Sequence, residues 1–442
     1  MTHNYKLAQD SFKKFFICLA QYRKQHTEDS EDPALEAQKG VVVRSLFTVG
    51  LLCQHFEFDQ GKAATAKQAS SIQSQVYDIL MFYSKFTDEE IRHRAISGLG
   101  FFFIRYDRLM LREQSRTLYI EILKGFDAPV KLKCQVLKNL QLHLLSDEKR
   151  LTRQNNQMRQ DLKRDGITDL KTYGDDKSTV SGAVAQMLLD PIHHCFFHKL
   201  VQVRSAAVQV ICLVLHQGLL HPISCIQYLI GICTDIDEVN RVKAEQTLIE
   251  LDGKYPLFLH SQFFPGLRES FKLQTALFAT YPVRGFRNNP PISLLSHVYA
   301  LIRTSKAHRH SQLVCMIKQF DDYKRTDINL LLYIADNLAH MSYQIVEEPL
   351  FVIHHLALLI STSGTTYLES AKDAVYGRDI AETIQDEDEE EVDEIDAVED
   401  LPRLTEVLVQ CQSCTLLILL KKHLMTQYNL TGKLLFLKNK KS

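Results

Sequence analysis

The chain has no tryptophan, and its 17 glycines and 11 prolines among 442 residues fall below ordinary usage. With so few residues that reverse the chain, helices are favoured, and 45% apolar with 24% charged residues exclude wholesale disorder and collagen-like structure. Long apolar runs are also missing. The best stretch, Leu404 to Leu420, is interrupted by Glu406, Gln410 and Gln412 and falls short of the roughly 18 unbroken apolar residues a bilayer span needs. The first ten residues, Met1 to Asp10, lack the basic-then-apolar order of a secretory signal. The ten cysteines sit mostly inside apolar segments (Cys53, Cys212, Cys233, Cys315) and lack the close regular spacing of a disulfide scaffold. These absences read together as a soluble intracellular protein with reduced core thiols. No GxxxxGK[ST] phosphate loop, HExxH zinc motif or EF-hand loop occurs, so the sequence carries no sign of an ATPase of its own.

What is present is helical periodicity. Apolar residues fall at 91, 95, 96, 99, 102 and 103, and again at 203, 207, 210, 211, 214 and 215, both stripes of one helix face. A short pattern also recurs, in which a mostly aliphatic residue is followed by Arg or Lys and, three residues further on, by a residue that is small in most copies. It appears at Val43–Phe47, Ile91–Ala95, Val130–Cys134, Val203–Ala207 and, more weakly, Asn240–Ala244. The copies lie 48, 39, 73 and 37 residues apart, close to the roughly 40 to 47 residues of HEAT or armadillo helix pairs with one doubled interval. Acidic residues at Asp88 to Glu90 and at Asp235 to Glu238 precede two copies, where they are expected to cap helix N-termini. The expected fold is all-α: a hook-shaped HEAT-repeat α-solenoid with an inserted loop and a disordered acidic linker.

The expected divisions are HEAT repeats over 1–145, a charged insertion over 146–182, a second HEAT domain over 183–361, an acidic disordered linker over 362–403, a C-terminal helix over 404–425 and a tail over 426–442. Segments 27–40, 58–71, 146–182 and 362–402 break the periodicity and read as loops, the third a solvated insertion or partly helical. The formal net charge of −1 conceals a segregation. Asp386 to Asp400 hold eleven carboxylates and no base, which leaves 52 bases against 42 acids elsewhere, a mildly basic body.

Several constellations invite chemical readings. Gly98-Leu99-Gly100 begins like a dinucleotide fingerprint but follows helical periodicity and lacks the third glycine, which favours helix packing. His194 and His198, beside His193 and Cys195, stand at a spacing that on one helix face would offer two imidazoles to zinc; histidines at a helix interface or surface are the other reading. Cys411 and Cys414 form a CxxC inside an apolar stretch, where core filling outweighs a redox centre, and His354-His355 reads as the polar edge of a packed helix. Arg105, Arg108, Arg112 and Arg116 form a spaced series mixed with acids, the mark of a solvated surface. The densest bases are Arg303, Lys306 and Arg309, with His308 and His310 among them and Arg284 and Arg287 upstream. These five Arg and Lys are the candidate contacts to duplex DNA, able to neutralise phosphates without reading base sequence; a solvated helix face is the alternative.

Ordered blocks along the chain carry a family resemblance: Val43-Arg-Ser-Leu-Phe-Thr-Val-Gly50, Gly98-Leu-Gly-Phe101, Gln135-Val-Leu-Lys-Asn-Leu-Gln141, Gln217-Gly-Leu-Leu-His-Pro222, Pro282-Val-Arg-Gly-Phe-Arg287, Leu331-Leu-Tyr-Ile-Ala-Asp-Asn-Leu-Ala339 and Glu347-Glu-Pro-Leu-Phe351. In this order they resemble the C-terminal HEAT region of the Nipped-B-like cohesin loader family, from about residue 40 to about 360 and more faintly to Leu420. The resemblance implies a nuclear, chromatin-bound, non-enzymatic activator that needs no cofactor. Its partners would be cohesin, through the ATPase heads and kleisin, and duplex DNA without sequence specificity. It would promote cohesin loading by stimulating hydrolysis of ATP by cohesin, with no membrane involved. Family members are longer and bind a smaller loader partner through an N-terminal segment unlike anything here, so the chain is expected to be a fragment, an incomplete gene product or a shortened paralogue. A general scaffold or transport-type solenoid binding peptide segments is the competing reading. It is disfavoured by the absence of tryptophan, which transport grooves repeat at equivalent positions.

Overall fold

The structure is a computed structural model and describes residues 2–25, 33–58, 66–165, 175–278, 282–288, 290–321, 327–384 and 396–430. The chain divides into two compact units, Met1–His221 and Pro222–Ser442.

The first unit contains α1 (Thr2–Gln25), α2 (Pro33–His55), α3 (Ala66–Tyr83), α4 (Glu89–Arg105), a 3₁₀ turn (Asp107–Leu111), α5 (Glu113–Lys124), α6 (Val130–Asp165), α7 (Asp175–Cys195) and α8 (Val201–His216). Its helices pair in sequence, and most also pack on the helix two places along. Thus α2, α4, α6 and α8 form one layer, with α1 against α3 and α5 against α7 in the other. This i-to-i+2 stacking is how a helical repeat closes the apolar face each pair leaves open. The layer is tight where α2 crosses α4: a Cβ on Gly50 would lie 2.5 Å from the Gly98 Cα, and one on Gly98 would lie 2.8 Å from the Leu46 carbonyl oxygen. Two residues on, a Cβ on Gly100 would lie 2.1 Å from Oδ1 of Asn139 on α6. Gly98-Leu99-Gly100 is therefore a packing device.

The second unit contains α9 (Ile223–Ile232), α10 (Glu238–Lys254), α11 (Pro256–Leu277), β1 (Phe286–Arg287), β2 (Ile292–Ser293), α12 (Ser296–Ile302), α13 (Lys306–Lys318), α14 (Ile328–Ala339), α15 (Glu347–Ile384) and α16 (Asp396–Gln427). Here α9, α11, α13 and α15 pack in succession, α10 packs on its neighbours α9 and α11, and α16 lies on α14 and α15. The core holds Leu229, Phe263, Leu267, Tyr299, Phe320, Leu331, Tyr333 and Leu356, all buried. The two short strands pair antiparallel, Phe286 with Ser293 and Arg287 with Ile292.

The acidic caps form as expected. Asp88 Oδ1 accepts from the Glu90 and Ile91 amides at 3.0 and 2.9 Å, and Asp237 Oδ2 accepts from the Asn240 amide at 3.0 Å. The repeated base of two copies, Arg204 and Arg241, has a structural task that Lys133 and Arg309 share. Arg204 Nη1 donates to the His198 and Lys199 carbonyls, Arg241 Nη1 to those of Asp235 and Ile236, Lys133 Nζ to those of Leu123 and Gly125, and Arg309 Nη1 to that of Arg303. In each case a cation in the first turn of one helix satisfies carbonyls at the end of the preceding helix or in the turn after it.

Helices extend into segments that broke the periodicity. The second helix starts at Pro33, a residue suited to the first helical position, and α3 starts at Ala66. Helix α6 continues to Asp165, because 146–165 contain neither Gly nor Pro and are rich in strong helix formers whose polarity hides the stripe. Helix α15 runs to Ile384, its polar stretch tolerated because Ser361 and Thr362 turn their hydroxyls back onto the Leu358 carbonyl. Residues 385–395 of the acidic run and the tail from 431 lie outside the described residues. No helix among the described residues is long and apolar enough to cross a membrane.

Candidate functional site

In the second unit, two sequence blocks meet at a buried polar node. Asp336 of α14 accepts from Arg284 at both Nε (2.7 Å) and Nη2 (2.8 Å), and from the Gly285 amide at 3.0 Å. The planar fork of Arg284 matches the carboxylate bidentately, and this bonding raises the guanidinium pKa further. Only glycine fits at 285, where a Cβ would lie 2.4 Å from Asn337 Nδ2 and from the Tyr333 carbonyl oxygen. The chain thus lies directly on α14. Asn337, fully buried, accepts from Ser293 Oγ at 2.7 Å and donates to the Tyr333 carbonyl at 2.8 Å, which anchors the other strand of the hairpin. The Tyr333 hydroxyl meets Ser270 of α11, and Gln274 donates to the Thr234 carbonyl at 2.7 Å.

This seated hairpin forms one wall of a cleft of about 500 Å³ whose other walls come from α10, α11 and the turn before α10. Arg241, Arg284 and Arg287 line it together with Ile236, Phe278 and Phe286, and no acidic side chain is among its lining residues. Arg284 lies over the Phe286 ring at 5.0 Å with its side chain 53% exposed. Arg287 Nη2 reaches the Asp235 carbonyl at 3.1 Å, and Arg241 Nη1 reaches the same carbonyl at 2.9 Å. Two guanidiniums therefore share one backbone oxygen. Burial lowers the Arg287 pKa, and repulsion from Arg241 adds to that ahead of the attraction from Glu245. The Asp235 carboxylate lies behind the wall, fully buried and accepting from Asn240 Nδ2 and the Asp237 amide.

The remaining candidate bases sit at the start of α13, facing the start of α15. Arg303 Nη2 donates to Gln344 Oε1 at 2.5 Å, Lys306 pairs with Glu347 at 2.6 Å, and Arg309 lies 3.5 Å from Glu348. Lys306 and Glu347 are both well exposed, so their pair is a surface one of small net worth. Arg309 is different: only 8% exposed, it is occupied by the Arg303 carbonyl and by the fully buried Glu348. The five bases thus divide into a cleft pair, Arg284 and Arg287, both exposed, a pair at the start of α13, half-buried Arg303 and exposed Lys306, and one interior member, Arg309.

The other constellations are structural. Helix α7 ends at Cys195, so His198 lies in the following turn, where its Nδ1 accepts from the Leu200 amide at 3.1 Å, and the two imidazoles do not share a helix face. His193 is buried with its pKa pushed down to about 4, and burial pushes the Cys195 thiol up to about 12. Among the described residues no group of three His, Cys, Asp or Glu is placed to hold a metal ion. Cys411 and Cys414 lie half-buried on α16, and burial raises the Cys414 pKa, away from a reactive thiolate. His355 donates from Nδ1 to the Phe351 carbonyl at 3.0 Å. Arg105 ends α4, Arg108 lies in the 3₁₀ turn and Arg112 precedes α5, so the series shares no helix face.

The residues that build the node, Asp336, Asn337 and Gly285, were visible only as members of two ordered blocks some fifty positions apart. The pairing of those blocks is tertiary. Arg241, the cleft's third guanidinium, was visible only as a repeat position.

A family described as "Sister chromatid cohesion C-terminus" matches residues 181–359, which include the cleft and the node. The human "Nipped-B-like protein" is 39% identical over 378 residues, covering 85% of this chain and 13% of that protein. The "Nipped-B protein" of Drosophila melanogaster is 33% identical over 455 residues, covering 98% of this chain and 21% of that one. The chain thus spans about an eighth to a fifth of the length of these relatives. Among solved structures, the "Chaetomium thermophilum cohesin loader SCC2, C-terminal fragment" superposes with a TM-score of 0.70 at 16% identity, over 96% of this chain and 29% of that one, and so shares the fold.

Proposed function

The chain belongs to the Nipped-B-like family through that family's C-terminal helical-repeat region, and from this premise we propose that it takes part in loading cohesin onto chromatin in the nucleus, in support of sister chromatid cohesion. It does so as a non-enzymatic activator: the folded repeats engage the cohesin ATPase heads and kleisin and favour the arrangement in which cohesin hydrolyses ATP. The observation that carries the reading is 39% identity sustained over 378 residues, far beyond what helical repeats share by architecture alone.

DNA is held without sequence preference by bases that can leave their present partners. Lys306 and Arg303 qualify, because a surface pair such as Lys306 with Glu347 contributes at most about 1 kcal/mol and is readily exchanged for a phosphate. Arg284 and Arg287, exposed at the cleft, offer a second contact. Arg309 supports the surface from within, holding α13 on α15.

The experiment is the ATPase rate of purified cohesin with DNA, measured with and without this chain. Stimulation is the expected result. No stimulation, together with no retention of cohesin by the immobilised folded chain, overturns the reading.

A further inference from the structure

The walls of the cleft between the 286–293 hairpin and the α10–α11 pair carry three guanidiniums and exposed apolar side chains. Ile236 is 57% exposed and Phe278 43%, and Val239 nearby is 72% exposed. Isolated exposed apolar residues are ordinary, but here two of them line the same cleft as three cations. Holding Arg241 and Arg287 on one carbonyl oxygen costs repulsion, which an entering anion would relieve. The three cations differ in what they have to spare. Arg284 commits Nε and Nη2 to Asp336, Arg241 commits Nη1 to carbonyls and Arg287 commits Nη2, and each guanidinium keeps further N–H donors.

A cleft of about 500 Å³ is the size of a site that admits one or two side chains of an extended segment, and its exposed apolar Ile236 and Phe278 suit a peptide side chain rather than a row of backbone phosphates. Guanidinium forks match carboxylate and phosphate equally, while Ile236 and Phe278 suit a neighbouring apolar side chain. We propose that this cleft binds an extended acidic peptide segment of another protein, its carboxylate or phosphorylated side chain held by Arg241, Arg284 and Arg287 and an adjacent apolar side chain resting on Ile236 and Phe278. The proposal goes beyond the loader reading and does not depend on it: the cohesin ATPase assay and the peptide titration can each fail without the other.

The test is fluorescence anisotropy on the full chain with a labelled peptide of about fifteen residues built from Asp-Glu-Leu repeats. One counterpart carries Asn and Gln in place of the acids, and a second carries phosphoserine in place of Asp. The acidic peptide is expected to bind and the amide peptide to bind at least about tenfold more weakly. Tighter binding of the phosphoserine form assigns the cleft to a modified segment, and equal binding to an unmodified one; both support the proposal. Phe278→Asp and Arg284→Gln are each expected to weaken binding about tenfold or more while the melting temperature stays near that of the parent chain. If Arg284→Gln lowers the melting temperature, Phe278→Asp on the exposed rim decides the matter. Equal binding of the amide peptide, or unchanged affinity in Phe278→Asp, overturns the proposal. So does displacement of the peptide by an equimolar short duplex with the same residue dependence, which would make the cleft a nucleic-acid site.

Discussion

Asn139 and Gly100 form a pair whose energetics follow from their contact. Asn139, 2% exposed on α6, donates from Nδ2 to the Ile96 carbonyl at 2.8 Å and to the Tyr119 hydroxyl at 3.1 Å, and its Oδ1 accepts from Gln135 at 2.8 Å. Asn139→Ala removes these bonds, strands the buried Tyr119 hydroxyl and leaves a small void, at a cost of about 2 to 3 kcal/mol. Gly100→Ala alone places a methyl group 2.1 Å from Asn139 Oδ1, a position the amide cannot vacate without breaking the same bonds, and costs about 1 to 3 kcal/mol. In the double variant the void left by the amide receives the new methyl group, which removes both the clash and the cavity. The two changes are therefore expected to cost about 2 kcal/mol less together than the sum of the single effects. Because the chain comprises two compact units, the assay is local: amide hydrogen exchange of α4 and α6 peptides, read by mass spectrometry across the four proteins of the cycle. Additive losses of protection would refute the reasoning, since they would mean that Gly100 is not packed on the Asn139 side chain.

Charge reversal of Arg303 and Lys306 together is expected to weaken binding of a short duplex about tenfold at low salt and to reduce its salt dependence, measured by anisotropy; an unchanged affinity would remove α13 from the DNA surface. Deleting Asp386 to Asp400, with its eleven carboxylates, is expected to tighten DNA binding by ending competition with phosphate for the basic surface, and equal affinity would mark the run as an inert connection. Burial holds the folded-state pKa of His193 at about 4 against an unfolded value near 6.5, so the unfolded chain binds the extra proton first as pH falls. Stability from this residue is complete above about pH 6.5 and declines as pH falls toward 4, by about 3 kcal/mol in all. His193→Phe should flatten that acid limb in pH-dependent melting, and an identical limb would disprove the assignment.

The legibility of the site differed from residue to residue. Asp88 and Asp237 were readable as caps because a cap is satisfied within three residues of itself, and the repeated bases were readable as a period because every helix pair faces the same packing problem. Their task was hidden: that Arg204 and Arg241 bond to carbonyls in the turn after the preceding helix depends on how the chain turns between helices. The basic cluster of 284 to 309 looked continuous in sequence and is split three ways in space, since proximity along a chain that alternates helix and turn does not set which side a side chain faces. The long polar ends of α6 and α15 were read as loops because a helix without an apolar stripe leaves no period to find.

Periodicity, turn-residue scarcity and the ordered family blocks by themselves determined that the chain is an all-helical repeat of the Nipped-B-like kind, because those signals arise from local backbone preference and from a packing problem repeated about every forty residues. Only the tertiary structure decided that Asp336 would claim Arg284, that Gly285 would lie against α14 and that Arg241 would join Arg287 in one cleft, because such pairings across tens of residues depend on how successive helices stack, and no local rule encodes that.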